Sequence, residues 1–349
     1  MKMIYVGELK TTPDRDSVWL REFRNIGWKV IPFSTEYQTA SRLLEKFYRR
    51  LHIGPANKEM QQALLVLVQE EKPAWVHFRL PIEFDRQTIM KVKSDGIVVT
   101  QYFNDDPFSH KSRLGLHWKF RRALNAYDGH FVFRERNISS YRRSGASHVE
   151  HCPPFYDPER HTPAQRRHDQ TFLADAAFIG HWENDWRVNC LDALCAAGYS
   201  LILKGSYWDR AIRHTNLSYL SPVGLVFDLK YNEIYANALA GLCFFSKINN
   251  DTWTRRALEI VAVGGLLVCE RTEEAQTYFR DREEAFFFSS IEELIEINAL
   301  LKTDLVTRTR VQKAGYARLI QDGHTICNRA KQVDLFIENE LAKKPLAST

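Results

Sequence analysis

The chain of 349 residues contains 44% hydrophobic and 26% charged residues, proportions that fit a globular protein and exclude a disordered, collagen-like or coiled-coil chain. The longest apolar run covers residues 260–269, about half of the ~20 residues that span a bilayer. The N-terminal sequence MKMIYVGELK meets charges too early for a signal peptide. We therefore expect a cytoplasmic protein without a transmembrane segment, built from one large domain or two.

The N-terminal half alternates short apolar runs with stretches that place apolar residues at helical spacing. The apolar runs predict strands at residues 3–6, 28–33, 74–78, 96–103 and 129–133. The amphipathic stretches predict helices at residues 16–26, 38–51, 58–71, 84–93 and 114–125. Strands separated by helices indicate βαβ units, and hence a parallel sheet that is covered on both faces.

A segment with four prolines and many charges, residues 152–170, predicts a hinge before the alternation restarts. Further strands are expected at residues 176–180, 199–205, 241–246, 265–270 and 285–289. Further helices are expected at residues 185–197, 228–239, 254–263, 290–301, 304–319 and 325–342. Two α/β units joined by a hinge predict a ligand cleft between them, at the carboxyl ends of the strands.

Positive charge is concentrated in the N-terminal half. Residues 1–150 contain 25 Lys and Arg against 17 Asp and Glu, whereas the rest of the chain is net acidic. Residues 110–143 alone carry nine basic and two acidic side chains. This basic stretch favours an anionic partner for the N-terminal half. The alternative is an ordinary solvated helix face.

Several sequence patterns of known sites are missing. The chain has no G-x-G-x-x-G and no G-x-x-x-x-G-K-[ST], which argues against a dehydrogenase and a P-loop ATPase. The six cysteines are scattered and form no C-x-x-C pair, so neither a disulfide framework nor a zinc site is indicated. We expect buried free thiols instead.

The stretch NNDTWTRRALEIVAVGGLLVCE, residues 249–270, offers a candidate anion site. Arg256 and Glu259 fall on one face of the predicted helix. Arg256, near the helix N-terminus, is a bidentate donor for phosphate, and Glu259 is an acceptor for two vicinal ribose hydroxyls. Gly264 and Gly265 end the helix and turn into the next strand. The alternative is a surface Arg–Glu pair that contributes ~0.3–0.5 kcal/mol.

This layout, followed by FFFSSIEELIE, resembles the C-terminal domain of CgeB-like glycosyltransferases of the GT-B fold, and more distantly the phage DNA β-glucosyltransferase. The resemblance covers most of residues 172–330 and includes FIGHWENDWRVNCL, LILKGSYW and GHTICNRA. It is looser in the N-terminal half, through RRLHIGPANKEM and QYFNDDPF. It implies two Rossmann-like domains that face each other across a cleft. These are an acceptor domain at 1–155 and a nucleotide-sugar donor domain at 156–324, with a final helix, 325–349, returning to the first.

The resemblance also implies roles for individual residues of the donor domain. Glu259 would hold the donor ribose, and Arg256 and Arg187 would hold the diphosphate. Lys204 and Gly205 would line the same pocket. Two guanidiniums can neutralise a departing diphosphate without a metal. We therefore expect no obligatory metal or cofactor, with the nucleotide-diphosphate sugar as donor substrate, although a divalent ion could assist product release.

A carboxylate is needed to take the proton of the acceptor hydroxyl. Asp105 and Asp106 follow the predicted strand 96–103 at its carboxyl end. In the phage β-glucosyltransferase an aspartate follows Phe-Thr at the corresponding strand end, which makes Asp105 the preferred base, with Asp106 pointing the other way in an extended segment. The alternative is that either aspartate caps the turn before Pro107. His110 is a second candidate base.

The resulting hypothesis is an inverting glycosyltransferase that moves a sugar from a nucleotide-diphosphate donor to a hydroxyl acceptor. The acceptor could be a surface glycan, a lipid-linked intermediate, a protein or a nucleic acid. Two alternatives are a nucleotide-sugar epimerase of the same fold and a non-catalytic relative that binds nucleic acid through the basic stretch. One aromatic residue is a candidate to stack on the nucleobase or sugar, from the set Trp182, Trp186, Tyr207, Trp208 and Trp253, whereas core packing is the expectation for most of them. The sequence does not specify the donor sugar or its base, the acceptor, or the oligomeric state.

Overall fold

The computed structural model describes residues 1–9, 15–36, 48, 51–94, 96–109, 117–165 and 171–343. The chain divides into two compact units. Unit 1 consists of Met1–Pro153 together with Ile326–Thr349, and unit 2 is Pro154–Thr325.

Unit 1 contains a six-stranded parallel sheet with the order β2-β1-β3-β4-β5-β6. Its strands are β1 Lys2–Gly7, β2 Lys29–Ser34, β3 Trp75–Arg79, β4 Val98–Phe103, β5 Gly129–Val132 and β6 Val149–His151. Its described helices are α1 Arg15–Asn25, α2 Pro55–Glu71, α3 Arg86–Lys93, α4 Trp118–Ala123, α5 Ile138–Arg143 and, from the end of the chain, α13 Ile326–Ala342. Every residue of β3 and of β4 is buried, as expected for central parallel strands with both faces covered.

The last helix, α13, is part of the core of unit 1. Its Asp334 carboxylate accepts a hydrogen bond of 2.6 Å from the indole N–H of Trp28, which precedes β2. Phe336 packs edge-on against Phe131 of β5, with ring centroids 5.7 Å apart. Gln332 donates to the carbonyl of His151, at the end of β6. The C-terminal segment is thus held to unit 1 by both polar and apolar contacts.

Unit 2 contains a five-stranded parallel sheet with the order β11-β10-β9-β7-β8. Its strands are β7 Ala174–Ile179, β8 Leu201–Lys204, β9 Ala238–Cys243, β10 Leu267–Glu270 and β11 Phe286–Phe288. Its helices are α6 Arg187–Ala196, α7 Trp208–Ala211, α8 Asp228–Asn237, α9 Arg255–Ala262, α10 Glu273–Tyr278, α11 Ile291–Thr303 and α12 Leu305–Asp322. Two apolar cores lie on this sheet, and alternate residues of β10 contribute to them: Leu267 and Cys269 to one core and Val268 to the other.

The ten predicted strands are all present, and the α/β class with two parallel sheets is confirmed. The sequence missed the short strand β6 and the short helices α5, α7 and α10. The expectation of buried thiols was wrong for Cys195 and Cys327, which are only half-buried. The predicted helix at 38–51 lies almost entirely outside the described residues, as does the first part of the one at 114–125.

Each sheet has one point where the chain reverses its direction of strand addition. In unit 1 the chain adds β2 on one side of β1 and then β3 on the other, so the reversal falls between β1 and β3. In unit 2 it falls between β7 and β9. The loops that leave the carboxyl ends of these strands diverge and form a crevice, which is where open α/β sheets bind ligands.

Candidate functional site

The crevice of unit 2 brings the loop after β7 close to helix α9, which follows β9. Gly180 is the first residue after β7, and Arg256 lies in the first turn of α9. A Cβ placed on Gly180 would lie 2.8 Å from an Nη atom of Arg256, so the guanidinium rests against the Gly180 backbone. It also lies over the ring of Phe178, 5.2 Å from its centroid. The edge of the sheet therefore positions Arg256 beside the point, between β7 and β9, where the direction of strand addition reverses.

Arg256 has no hydrogen bond or ion pair within the described part of the chain, although it is only half exposed. An arginine side chain remains protonated at all ordinary pH values. The carboxylate of Glu259 is close enough to raise the pKa of Arg256 but makes no direct ion pair with it, so an anion that binds the guanidinium directly would stabilise this partly buried charge. Helix α9 also begins without a side-chain cap from Thr254, so its first N–H groups face the same edge. The arrangement is that of an anion site.

Glu259, one turn along α9, is surrounded by donors. Its Oε2 accepts a hydrogen bond of 2.8 Å from the hydroxyl of Tyr231 on α8. Its Oε1 lies 2.6 Å from Nε of Arg255 and 3.7 Å from Nε2 of His161. The residue is 7% exposed, whereas the side chain of Arg255 is 31% exposed. Arg255 is thus the outer partner and Glu259 the inner one.

These neighbours keep Glu259 ionised. Burial alone would raise the pKa of its carboxyl, but Arg255, His161, Tyr231 and Arg256 together lower it to about 2. A carboxylate accepts up to about four hydrogen bonds. Glu259 therefore remains an acceptor throughout the neutral range, as the recognition of a pair of hydroxyl groups requires.

Lys204 and Gly205 lie at the same edge of the sheet. Lys204 ends β8, and its carbonyl accepts from the N–H of Gly180 at 2.9 Å. Gly205 has a φ of +134°, and a Cβ there would lie 1.9 Å from the carbonyl oxygen of Gly180. Only glycine permits this approach of the two strand ends. The side-chain amine of Lys204 makes no ion pair among the described residues.

Arg187 is close to this edge, but its guanidinium is already engaged. It donates to both carboxylate oxygens of Asp185, at 2.8 and 2.7 Å, and to the carbonyl of His181 at 3.0 Å. Its side chain is 2% exposed. Its contact with a diphosphate stays a prediction, and the observed geometry gives it the role of holding the loop after β7.

Gly264 and Gly265 lie at the other end of α9. Their N–H groups donate to the carbonyls of Val261 and Ile260 and so close the helix. They precede β10 and therefore lie at the amino end of the sheet, about one helix length of ~12 Å from the first turn of α9. The structure does not bring them together with Arg256, and we do not carry them into the proposed site.

Of the five aromatic candidates for stacking, only Tyr207 is largely exposed, at 78%. Trp208 and Trp253 are buried in the core. The indole of Trp186 donates to the carboxylate of Glu270. Trp182 is half exposed and packs against the apolar core beside α6. Most of these rings therefore stabilise unit 2, and Tyr207 alone presents its full face to solvent.

The two aspartates predicted as bases lie in unit 1, after β4, in different surroundings. Asp106 is buried, with one oxygen 2.8 Å from Nη2 of Arg136 and the other accepting from Asn137 and from the N–H of Phe108. It stabilises the turn, as the capping alternative expected. Asp105 is half-buried, and its charge partly opposes the lowering of the His117 pKa that burial causes. Of the two, Asp105 is the more exposed, and its role as a base stays a prediction.

Part of the basic stretch can be described. Arg121 and Arg122 are exposed on α4, and the guanidinium of Arg122 lies 5.4 Å from the ring centroid of Trp118. His110, the second candidate base, lies outside the described residues together with residues 111–116. The exposed arginines are compatible with either an anionic partner or a solvated face.

Sequence reasoning missed the residues that surround Glu259. Arg255 precedes Glu259 by four positions and could have been found from that spacing. His161 lies in the segment interpreted as a hinge, and Tyr231 is 28 positions before Glu259. Neither carries a local signal, because only the packing of the fold brings them to the carboxylate.

No group of three or more His, Cys, Asp or Glu side chains suited to a metal ion occurs in the described ranges. The expectation that the reaction needs no obligatory metal stays a prediction. No helix in the described part of the chain is both long enough and apolar enough to cross a membrane.

Residues 187–334, which include α9 with Arg256 and Glu259, match the family model described as glycosyl transferase-like. These residues therefore correspond to a glycosyl transferase-like domain, which makes up the larger part of unit 2 and continues into α13. The narrower relationship to CgeB-like or phage enzymes is not specifically established by this match. A search of curated proteins found no match to this chain.

Solved structures share its fold over nearly the whole length. Sucrose-phosphate synthase from Thermosynechococcus elongatus is 12% identical with a TM-score of 0.70, covering 99% of this chain and 100% of its own. HepE from Anabaena, in complex with UDP, is 12% identical with a TM-score of 0.65, covering 97% and 100%. A glycosyltransferase from Rickettsia africae is 11% identical with a TM-score of 0.67, covering 98% and 99%. At these identities the likeness establishes the fold.

Proposed function

We propose that the chain is a GT-B glycosyltransferase that takes its sugar from a UDP-sugar and transfers it, with inversion, to a hydroxyl acceptor. The observation that carries the proposal is Arg256, a cation without a partner among the described residues, at the point where the sheet of unit 2 reverses. A nucleoside diphosphate supplies the missing negative charge. The HepE structures contain UDP and, in a second complex, UDP-glucose, which supports this choice of donor.

In the proposed reaction the bond between the anomeric carbon and the diphosphate oxygen breaks, and its electron pair stays on the diphosphate. The acceptor oxygen forms the new bond to the same carbon, and its proton passes to a base. Arg256 stabilises the negative charge that grows on the leaving group. Lys204, at the end of β8, lies at the same edge and adds a second positive charge.

Glu259 is proposed to accept hydrogen bonds from the two ribose hydroxyls. In the structure its Oε1 is buried beneath Arg255. Binding of the ribose at this oxygen therefore requires Arg255, the more exposed partner, to turn away. Tyr231 and His161 can keep the carboxylate in place during that exchange.

Asp105 is proposed as the base that takes the acceptor proton. A base pre-positioned at a strand end contributes typically ~10²–10⁴-fold to the rate. Asp106 is less suited to this role because Arg136 and Asn137 already occupy its oxygens. The exposed arginines of α4 favour an acceptor that carries negative charge, such as a phosphorylated lipid intermediate, an acidic glycan or a nucleic acid.

The donor can be tested by measuring hydrolysis of UDP-, GDP- and dTDP-sugars by the full chain. We expect UDP-sugars to be cleaved fastest, and the product configuration, read by NMR, to be opposite to that of the donor. The Arg256→Ala variant should lose this activity, whereas Arg310→Ala, which removes an exposed arginine of α12, should keep it. Cleavage that survives Arg256→Ala would place the donor site elsewhere.

A further inference from the structure

The loop between β7 and α6 carries a His–Glu pair that the proposed roles do not use. Nε2 of His181 lies 2.9 Å from Oε1 of Glu183. Glu183 is 5% exposed, and its second oxygen accepts from the hydroxyl of Ser246 at 3.1 Å. That oxygen also lies 3.5 Å from Nη2 of Arg187. The His181 side chain is 54% exposed, so the pair has a buried carboxylate and an accessible ring.

The carboxylate fixes the orientation of the ring. Burial would raise the pKa of Glu183, but its hydrogen bond from His181, the charge of Arg187 and the Ser246 hydroxyl lower it to about 2. Glu183 is therefore ionised and acts only as an acceptor, so the proton of this hydrogen bond resides on Nε2 of His181. The Nδ1 edge of the ring is left for another partner. A ring protonated at both nitrogens donates from that edge and carries a positive charge.

The pair lies beside the anion site. His181 follows Gly180, the residue against which the Arg256 guanidinium rests. The carbonyl of His181 is held by Nη1 of Arg187 at 3.0 Å, and the N–H of Trp182 donates to the carbonyl of Ser206 at 2.9 Å. The main chain on both sides of the His181 ring is thus fixed at the edge of the sheet where the diphosphate is proposed to bind.

We propose that His181, oriented by Glu183, is a further hydrogen-bond donor to the diphosphate of the nucleotide sugar, in the role that the family resemblance implies for Arg187. Arg187 is committed to Asp185 and to the loop, so Arg256 and Lys204 are joined by His181 at the diphosphate. When both ring nitrogens carry a proton, the Nδ1 edge donates a hydrogen bond to the leaving group while Nε2 donates to Glu183. Glu183 is a positioning residue. The inference depends on the proposed donor site.

The test compares UDP with uridine, which lacks the phosphates. Competition with the donor sugar gives an inhibition constant for each. His181→Asn should lower the affinity for UDP about tenfold or more, the usual loss for a hydrogen bond to a charged group, and leave the affinity for uridine unchanged. His181→Arg should restore much of the UDP affinity. His214→Asn removes an exposed histidine of the same unit and serves as the matched control.

Glu183 is tested through its coupling to His181. Glu183→Gln should weaken UDP binding as well. The double variant should bind UDP as tightly as His181→Asn alone, since both changes remove the same interaction. Full additivity would show that Glu183 acts only on the fold, and would overturn its positioning role.

Two results would overturn the role of His181. One is an equal weakening of UDP and uridine by His181→Asn. The other is unchanged UDP affinity in that variant while Arg256→Ala weakens it, which would leave the proposed donor site intact. If Arg256→Ala and Glu259→Ala both bind UDP like the parent chain, the donor site itself is wrong.

Discussion

The two units place an arginine at corresponding points of their folds and treat its charge differently. Arg79 ends β3, at the reversal point of unit 1, and lies 2.8 Å from Asp16, with the two side chains 8% and 0% exposed. Arg256 lies at the reversal point of unit 2 without an ion-pair partner in the described ranges. The protein itself neutralises the arginine of the first crevice, whereas we propose that an external anion binds the arginine of the second. On this proposal the same topology yields a structural ion pair in one unit and a ligand site in the other.

The two units also differ in how they shift the pKa of a buried glutamate. Burial raises the pKa of Glu83 in unit 1 to about 8, and Lys119, the nearby cation, only partly opposes this because it donates to backbone carbonyls and Asn57. The pKa of Glu259 is lowered to about 2 by the cations around it. A buried carboxylate remains charged only where the fold supplies counter-charges. Unit 2 supplies them around the residue proposed to bind ribose.

The largest effect is expected in unit 1, if it supplies the acceptor base. Asp105→Asn should lower kcat by ~10²–10⁴-fold and barely change UDP affinity, because a general base acts on the acceptor proton alone. Asp106→Asn should do less to kcat, since its partners are Arg136 and Asn137. A residual kcat above about a tenth of the parent value for Asp105→Asn lies well short of that range and argues against the base.

The ion pair between Arg79 and Asp16 of unit 1 should contribute to the stability of the fold and not to the affinity for UDP. Asp16→Ala leaves Arg79 buried without its counter-charge, which typically costs ~3–5 kcal/mol in the free energy of unfolding. Urea denaturation measures this loss. UDP affinity, measured under conditions where the variant is folded, should equal that of the parent chain. A specific loss of UDP affinity would mean that the crevice of unit 1 also takes part in binding the donor.

The two buried glutamates should give opposite dependences of stability on pH. For Glu83, whose pKa rises from 4.5 to about 8 on folding, stability falls by about 1.4 kcal/mol per pH unit between these values. Glu83→Gln should remove this fall and stabilise the chain at pH 8, with no benefit below pH 4.5. For Glu259, whose pKa falls to about 2, the charged form contributes stability that is complete above pH 4.5 and lost towards pH 2. Glu259→Gln should therefore destabilise the chain at pH 7.

Replacing Arg256 of unit 2 should lower the affinity for the donor nucleotide. Arg256→Ala should weaken UDP by ~1.5–3 kcal/mol, roughly 10- to 100-fold, because a phosphate charge loses its donor. Calorimetric titration measures the change, and Arg310→Ala is the matched control. Since Arg256 has no ion-pair partner among the described residues, the same substitution should leave the free energy of unfolding nearly unchanged. A large loss of stability would show that Arg256 is a structural residue like Arg79.

The sequence predicted the framework better than the site. Buried parallel strands such as β4 are continuous apolar runs, so the composition of each strand reveals it directly. Glu259 and Arg256 were found because the helical period relates them. His161, Tyr231 and the Glu183–Ser246 contact join segments far apart in the chain, and no local pattern encodes them. Arg187 was assigned to the diphosphate by the family resemblance. No sequence pattern indicated that both oxygens of Asp185, two positions away, would accept hydrogen bonds from its guanidinium.

The measurement that tests the central claim most directly compares UDP with 2′,3′-dideoxy-UDP in the parent chain and in Glu259→Ala, by calorimetry. If Glu259 accepts both ribose hydroxyls, the parent should bind UDP at least tenfold more tightly than the dideoxy analogue, as expected for hydrogen bonds to a charged group. The variant should bind the two ligands about equally. A preference for UDP that persists undiminished in Glu259→Ala, or a parent chain that does not distinguish the ligands, would contradict the assignment of the donor site to unit 2.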